Sequence, residues 1–568
     1  MISNLNIVGK SPLTTKFVAP KKICYVTSGV TDSENLLNIT SELPQGSIAK
    51  FSTKNGQKAA LLLDFGSEIT GGIRIDGHCR IENNGCIFKI MFGESAQEAM
   101  TPNGVKHAQN DHSVRDAEVR MSINNGTSFG KTAFRFVYLE LISKEVEYDV
   151  SNICAEFSFR DIEYKGSFSC NDELLNKIFD TCAYTVHLCM QEALFDGAQR
   201  DRWVWTGDMR VETLTISKIF GDIDIIDKSL KHLLKKTSKF HGEITTYDMW
   251  YIIILEDWMK CTGRTELLYE LKEAFIKKLN SVLDLFHEDK NTLFCEDEFK
   301  FAQERGYYID WPTRNTKESE SGAIALSKLC LDAAINLCRV LNENDLMSRC
   351  IKTKLLYKDV IVSYNDKKQI AALLNLAGLI DNEHAGEALI KDGCHGFSTF
   401  MSYYILKAIS NSVGIDKAIE LLKEYYGAML DVGATTFWED FDIDWYKEDA
   451  TIEHVLNENE YDIHGDNGNH CYKGFRHSLC QGWSSGPAAF IVEDIMGIKI
   501  LENGCKRLLV EPKIGKLQWV KGTYPTPYGI MELYLHKENE KICIDISCPK
   551  EISLEIDKNK YITQIHKV

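Results

Sequence analysis

The chain has 568 residues, 44% of them hydrophobic, enough to bury a large core and to divide into two to four units. Its 82 acidic against 65 basic residues leave a formal charge of −17. That balance excludes the clustered basic surface a nucleic-acid backbone requires, and no stretch reaches the roughly 18–20 apolar residues of a membrane span.

The amino-terminal text "MISNLNIVGKSPLTTKFVAPKKICYV" has no continuous apolar core and no small-residue cleavage pattern, so no secretory leader is expected. Eighteen cysteines are scattered without a CxxC pair. Several, such as Cys182, Cys189, Cys330 and Cys338, occupy apolar positions of helix-like runs, where the thiol behaves as a small hydrophobe. The expectation is reduced thiols in a cytoplasmic protein.

From about residue 57 to 160, β-branched and alternating runs are broken by glycine: "KAALLLDFGSEITGGIRIDG", "CIFKIMFGES" and "TAFRFVYLELIS". They suit an antiparallel sandwich. Proline is nearly absent from the middle of the chain. Of ten prolines only Pro312 and Pro487 fall between 103 and 511, as expected for a helical domain.

In "NDELLNKIFDTCAYTVHLCMQEALF" the apolar positions Leu174/Leu175, Ile178/Phe179, Cys182, Val186 and Cys189/Met190 recur at helical spacing. Asn171 or Asp172 is the expected N-cap. Four more runs read alike: "SGAIALSKLCLDAAINLCRVL", "KKQIAALLNLAGLI", "FSTFMSYYILKAIS" and "GIDKAIELLKEYYGAML". Roughly ten to twelve helical segments are expected from 165 to 500, with no fixed-length repeat, so a closed helical toroid is preferred to a solenoid. After 500 the β style returns in "KRLLVEP", "GIMELYLHK", "KICIDISC" and "EISLEI".

Eight of the nine tryptophans lie between 203 and 483, most beside acids or glycines in loop-like text: "DRWVW", "YIDWP", "TTFWEDFDIDW", "QGWSSGP". A flat ring beside carboxylates suits a sugar, whose C–H face the ring covers while the acids take its hydroxyls. The carboxylates form two sequence-distant groups. One is Asp196, Asp201 and Asp208; the other is Glu439, Asp440, Asp442 and Asp444. Direct displacement at a glycosidic carbon needs one acid for the leaving oxygen and one base for water, about 6.5–9.5 Å apart. Two loops on one barrel mouth can meet that spacing. Arg200 and Arg202 complicate the first group, because a guanidinium favours the ionised carboxylate, the wrong form for a general acid. On these residues alone, a catalytic pair and structural Arg–Asp pairing both remain open.

"FDGAQRDRWVWTGDM" resembles the signature of the family 78 glycoside hydrolases, the α-L-rhamnosidases, and "GATTFWEDFD" resembles their second signature. Similar text continues in "YDMWYIIILEDWMKCTGRTELL", "YYIDWP", "HCYKGFRHSLCQGWSSGP" and the tail "LLVEPKIGKLQWVKGTYPTPYGIMEL". The resemblance implies an (α/α)6 barrel over 163–500, flanked by antiparallel β-sandwich domains over 1–162 and 501–568. It further implies hydrolysis of terminal α-L-rhamnosyl bonds with inversion, without cofactor or metal. Carried onto this sequence, Asp201 is the general acid and Glu439 the general base.

By the same resemblance, Asp196 and Asp208 hold sugar hydroxyls, and Trp205, Trp258, Trp311 and Trp438 wall the pocket. Arg200, Arg202, His477, Gln481 and Trp483 complete the expected binding set. Two positions depart from the family. Arg202 stands where many relatives carry an acid, and Gln481 where many carry a histidine, with His477 four residues earlier. The expected partner is a small glycoside or oligosaccharide, bound by a monomer or homodimer.

Three other readings compete with this one. A zinc site in "HGDNGNHCYKGFRHSLC" lacks zinc-ligand spacing. A second enzyme reading is another (α/α)6-barrel glycosidase or a glycoside phosphorylase, the latter replacing the base by a phosphate-binding cluster. A sugar-binding protein with a decayed site could dispense with one acid.

Overall fold

The computed structural model describes residues 9–38, 48–79, 85–121, 126–234, 244–286, 307–314, 316–457, 459–539 and 541–568. Residues 1–8, where the leader expectation begins, lie outside them. The chain divides into two compact units. The first comprises Met1–Ile162, His187–Trp203 and Lys447–Cys480; the second comprises Glu163–Val186, Val204–Tyr446 and Gln481–Val568.

The first unit is built on a nine-stranded sheet whose pairings are all antiparallel. Its centre is Glu147–Phe159, Ala59–Cys79, Thr127–Leu141 and Ile87–Gly93 in that spatial order. The last three coincide with the glycine-broken runs of the sequence. Side chains alternate across a strand, and both faces are covered here. Leu61 and Leu63 enter one apolar cluster with Phe88, Phe134 and Val137. Ala60 and Leu62 face another with Phe136, Tyr138, Ala96 and Ala99.

Ala96 and Ala99 belong to the short helix Ala96–Met100, whose N-cap Ser95 accepts from the Glu98 amide. Gly71, at φ 136°, lies where the long strand changes register. A Cβ there would meet the Glu156 carbonyl oxygen at 2.0 Å, so only glycine fits.

The second unit is mainly helical. Glu173–Cys189 begins in it, with Asp172 as N-cap: its carboxylate accepts from the Leu175 amide at 3.1 Å. Asn171, the alternative, instead accepts from the Gln518 amide at 2.8 Å. The helices Thr206–Ile219, Thr245–Thr262, Glu318–Leu341, Lys368–Leu376, Ser402–Ser412 and Gly486–Phe490 pack each on the next, and the last packs on the first. Intervening helices such as Lys272–Leu283, Asn344–Leu355, Asn382–Ile390 and Ile415–Asp431 lean on this circuit from their neighbours in sequence.

Thr245–Thr262 is almost wholly buried. It stops at Gly263, whose φ of 71° supplies the left-handed C-cap. Among the described residues, no helix is long and apolar enough to cross a membrane.

The β runs after 500 form two further sheets. The larger has the order Ser167–Cys170, Trp519–Thr526, Gly529–Glu538, Lys541–Cys548 and Ile562–Lys567. Its first strand comes from before the helices, and its last pairs in parallel. The smaller sheet also contains one parallel pair, Arg507–Val510 with Ser553–Glu555. The purely antiparallel expectation for the tail is therefore corrected at these two pairs. Each is made by strands that are not consecutive in the chain, so a tight hairpin does not impose antiparallel direction.

Candidate active site

The motif at 195–209 is divided between the units, with the boundary after Trp203. Its two halves are therefore held by different surroundings.

In the first unit, Asp196 closes its own loop: its amide donates to the Trp203 carbonyl and its carboxylate accepts from the Trp203 amide, each at 2.9 Å. Within that loop Asp201 and Arg202 have φ of 47° and 54°. Two successive non-glycine residues in the left-handed region carry strain that the surroundings must hold. The holding contacts come from the flanking arginines. The Arg200 guanidinium donates to Asp201 Oδ1 at 3.1 Å and lies 4.8 Å over the Tyr472 ring. Arg202 donates to the Lys131 carbonyl at 2.5 Å and stacks 5.6 Å from the Phe195 ring. Burial lowers the Arg202 guanidinium from its usual range.

A residue the sequence did not single out, His112, brings Nε2 to 3.3 Å from Asp201 Oδ1 and 3.0 Å from Asp111 Oδ2. His112 has no motif around it, and no local signal in the sequence could have flagged it.

His477 lies in the same unit. It is buried, and its carbonyl oxygen is 2.8 Å from His464 Nε2. The other nitrogen of His464 lies 2.8 Å from the Ser95 hydroxyl. Although Glu94, Glu98 and His464 come together closely, both imidazole nitrogens are already engaged. His464 has no lone pair to offer a metal in this arrangement.

In the second unit, Asp208 sits in the first turn of Thr206–Ile219, where the helix dipole favours a negative charge. Gln481 donates from Nε2 to Asp208 Oδ1 at 3.0 Å, and its amide donates to the Phe437 carbonyl at 3.0 Å. The residue that departs from the family pattern thus braces another member of the expected set. Glu439 is buried, with its backbone pinned from two sides. Its carbonyl accepts from the Thr399 hydroxyl at 2.6 Å and from the Trp483 indole at 2.9 Å. Trp483 in turn stacks on Phe400, centroids 5.0 Å apart. The Trp438 carbonyl accepts from the Ser484 hydroxyl at 2.5 Å.

Two further carboxyls belong to this cluster. Asp310, in "YIDWP", is pushed up to about 7 by burial, against hydrogen bonds from the Ser398 hydroxyl and the Trp311 amide. Asp440 is pushed up to about 7 by burial, with the charges of Asp310 and Glu439 adding to it. Asp310 could have been found as an acid flanked by aromatics beside a proline.

Trp205 and Trp311 are linked by edge-to-face rings: Trp205 to Tyr247 at 6.2 Å, Tyr247 to Tyr308 at 6.3 Å, Tyr308 to Trp311 at 5.4 Å. Trp258 does not join them. It lies eleven residues beyond Tyr247 on Thr245–Thr262, about 16 Å along the axis. There its indole donates to Asp227 at 2.7 Å and Arg264 lies over its ring.

Residues 163–250 match the family model of the bacterial alpha-L-rhamnosidase 6 hairpin glycosidase domain. Residues 497–564 match that of the bacterial alpha-L-rhamnosidase C-terminal domain. By sequence alone no curated protein matches the chain.

Three solved structures are similar in fold. The GH78 family rhamnosidase of Bacillus sp. GL1 is 18% identical over 94% of this chain and 56% of its own, with a TM-score of 0.72. The rhamnosidase from Klebsiella oxytoca with rhamnose bound is 17% identical over 85% and 96%, TM-score 0.63. The Streptomyces avermitilis alpha-L-rhamnosidase complexed with L-rhamnose is 14% identical over 96% and 50%, TM-score 0.66. The chain thus spans little more than half the length of the Bacillus protein and half that of the Streptomyces one.

The fold class is a mainly helical unit joined to sheets that are largely antiparallel, with two parallel pairs. More particularly, its two matched segments are similar to bacterial alpha-L-rhamnosidase domains, and the structures similar in fold include rhamnosidases, one of them of family GH78.

Proposed function

We propose that the protein is a glycoside hydrolase that removes terminal α-L-rhamnosyl residues from small glycosides with inversion. The circuit of six helices is read as the inner ring of an (α/α)6 barrel within 163–500, between β-sandwich domains at 1–162 and 501–568. The observation that carries the proposal is the setting of Glu439. It is a buried carboxylate on a backbone pinned by Thr399 and Trp483, among a second and third carboxyl at Asp310 and Asp440. A base that must point at one water needs this rigidity.

In the proposed reaction, the bond from the anomeric carbon to the leaving oxygen breaks, and its electron pair goes to that oxygen. Asp201 supplies the proton that neutralises it. Water attacks the opposite face and gives its proton to Glu439. Asp208, held by Gln481, binds sugar hydroxyls, and Trp205 and Trp311 cover the apolar face of the ring. The described cysteines are all free thiols, which supports a reducing, cytoplasmic setting.

The test is a panel of α-L-rhamnosides followed by anomeric NMR, without added metal or phosphate. Release of rhamnose whose first-formed anomer is inverted supports the reading. Retention, strict dependence on phosphate, or inactivity on every rhamnoside overturns it.

A further inference from the structure

The proposed acid shares its Oδ1 with two basic groups. Arg200 donates to it at 3.1 Å, and His112 Nε2 lies 3.3 Å away on the other side. His112 lies also 3.0 Å from Asp111 Oδ2, which Arg476 holds at 2.6 Å. At neither carboxylate is the imidazole aligned as a full hydrogen bond, so a small rotation of the ring chooses between them. His112, Asp111, Arg200 and Arg476 border a small cavity of about 20 Å³, which Glu98 and Arg115 also line. Two carboxylates, Glu98 and Asp111, and three guanidiniums, Arg115, Arg200 and Arg476, thus share this cavity with the imidazole that reaches Asp201.

This arrangement matters because a guanidinium bonded to a carboxylate stabilises its ionised form. An acid catalyst in that position needs a neighbour that keeps a proton available. We propose that His112 is a positioning residue that holds the proton Asp201 delivers and returns it after each turnover, an inference that rests on the rhamnosidase reading above. The pair carries one proton, and a rotation of the imidazole closes the 3.3 Å contact through which it passes. On bond cleavage Asp201 gives that proton to the leaving oxygen, and His112, reprotonated from solvent, passes a proton back to Asp201.

The experiment uses the full-length protein and compares His112→Gln with the unsubstituted chain on two substrates. One is a dinitrophenyl α-L-rhamnoside, whose leaving group needs little acid assistance; the other is methyl α-L-rhamnoside, which needs much. The variant is expected to lose at least about tenfold more kcat/KM on the methyl glycoside, and the basic limb of its pH profile should move to lower pH. In parallel, and without substrate, the His112 ring is followed by NMR; its Nε2 resonance should shift in Asp201→Asn if the two groups meet. Equal losses on both substrates with an unmoved limb, or an unmoved His112 Nε2 resonance, overturn the proposal. If the unsubstituted protein cleaves neither rhamnoside, the functional reading fails instead, and the NMR arm still decides whether the pair exists. Should His112→Gln fail to fold, His112→Asn carries the same comparison.

Discussion

Gln481 and Asp208, 273 positions apart, are joined by a 3.0 Å hydrogen bond from the glutamine amide to the aspartate carboxylate. Both side chains are buried. Truncating Gln481 to Ala leaves a buried carboxylate short of a donor, which costs about 1–3 kcal/mol. Urea unfolding should show that loss, and KM should rise more than kcat falls, because Asp208 is read as a binding rather than a reacting group.

Asp201→Asn and Glu439→Gln remove the proposed acid and base while keeping the shape of each side chain. Each should lower kcat by about 100- to 10,000-fold with an unchanged circular dichroism spectrum. Full activity in either variant removes that residue from its role.

Asp310 gives a stability prediction with a definite sign. Its folded pKa is raised from 3.8 to about 7 by burial, so between these values the folded chain holds a proton that the unfolded chain releases. Stability from this group is therefore intact at low pH and declines as pH rises through that window, by up to about 1.4 kcal/mol per unit. Asp310→Asn cannot ionise. Its melting temperature relative to the unsubstituted protein should be higher at pH 8 than at pH 5, and a pH-independent difference would refute the assignment.

Trp258 and Trp205 should separate by phenotype. Trp258→Phe loses the indole bond to Asp227 and should cost about 0.5–1.5 kcal/mol of stability, with the loss falling there rather than on KM. Trp205→Ala should raise KM severalfold. The reverse pattern in steady-state kinetics and thermal melts would exchange their roles.

Much of the scaffold was legible in the sequence because its signals are local. The period of two in "GIMELYLHK" and the 3.6-residue recurrence in "NDELLNKIFDTCAYTVHLCMQEALF" report which face of a strand or helix is buried, and both elements form where those patterns lie. The clustering of acids with tryptophans is likewise a local signal, and it is what led to the proposal of a sugar site in these loops.

Tertiary structure alone decided how those residues are used. It set Gln481 against Asp208 and drew His112 and Arg200 to one oxygen of Asp201. It also placed Asp310 and Asp440 where burial raises both carboxyls, and put Trp258 far along its helix from Tyr247. None of this follows from periodicity, which records burial but not partner. A buried polar side chain takes whichever donor the path of the chain delivers, and that partner can come from hundreds of residues away.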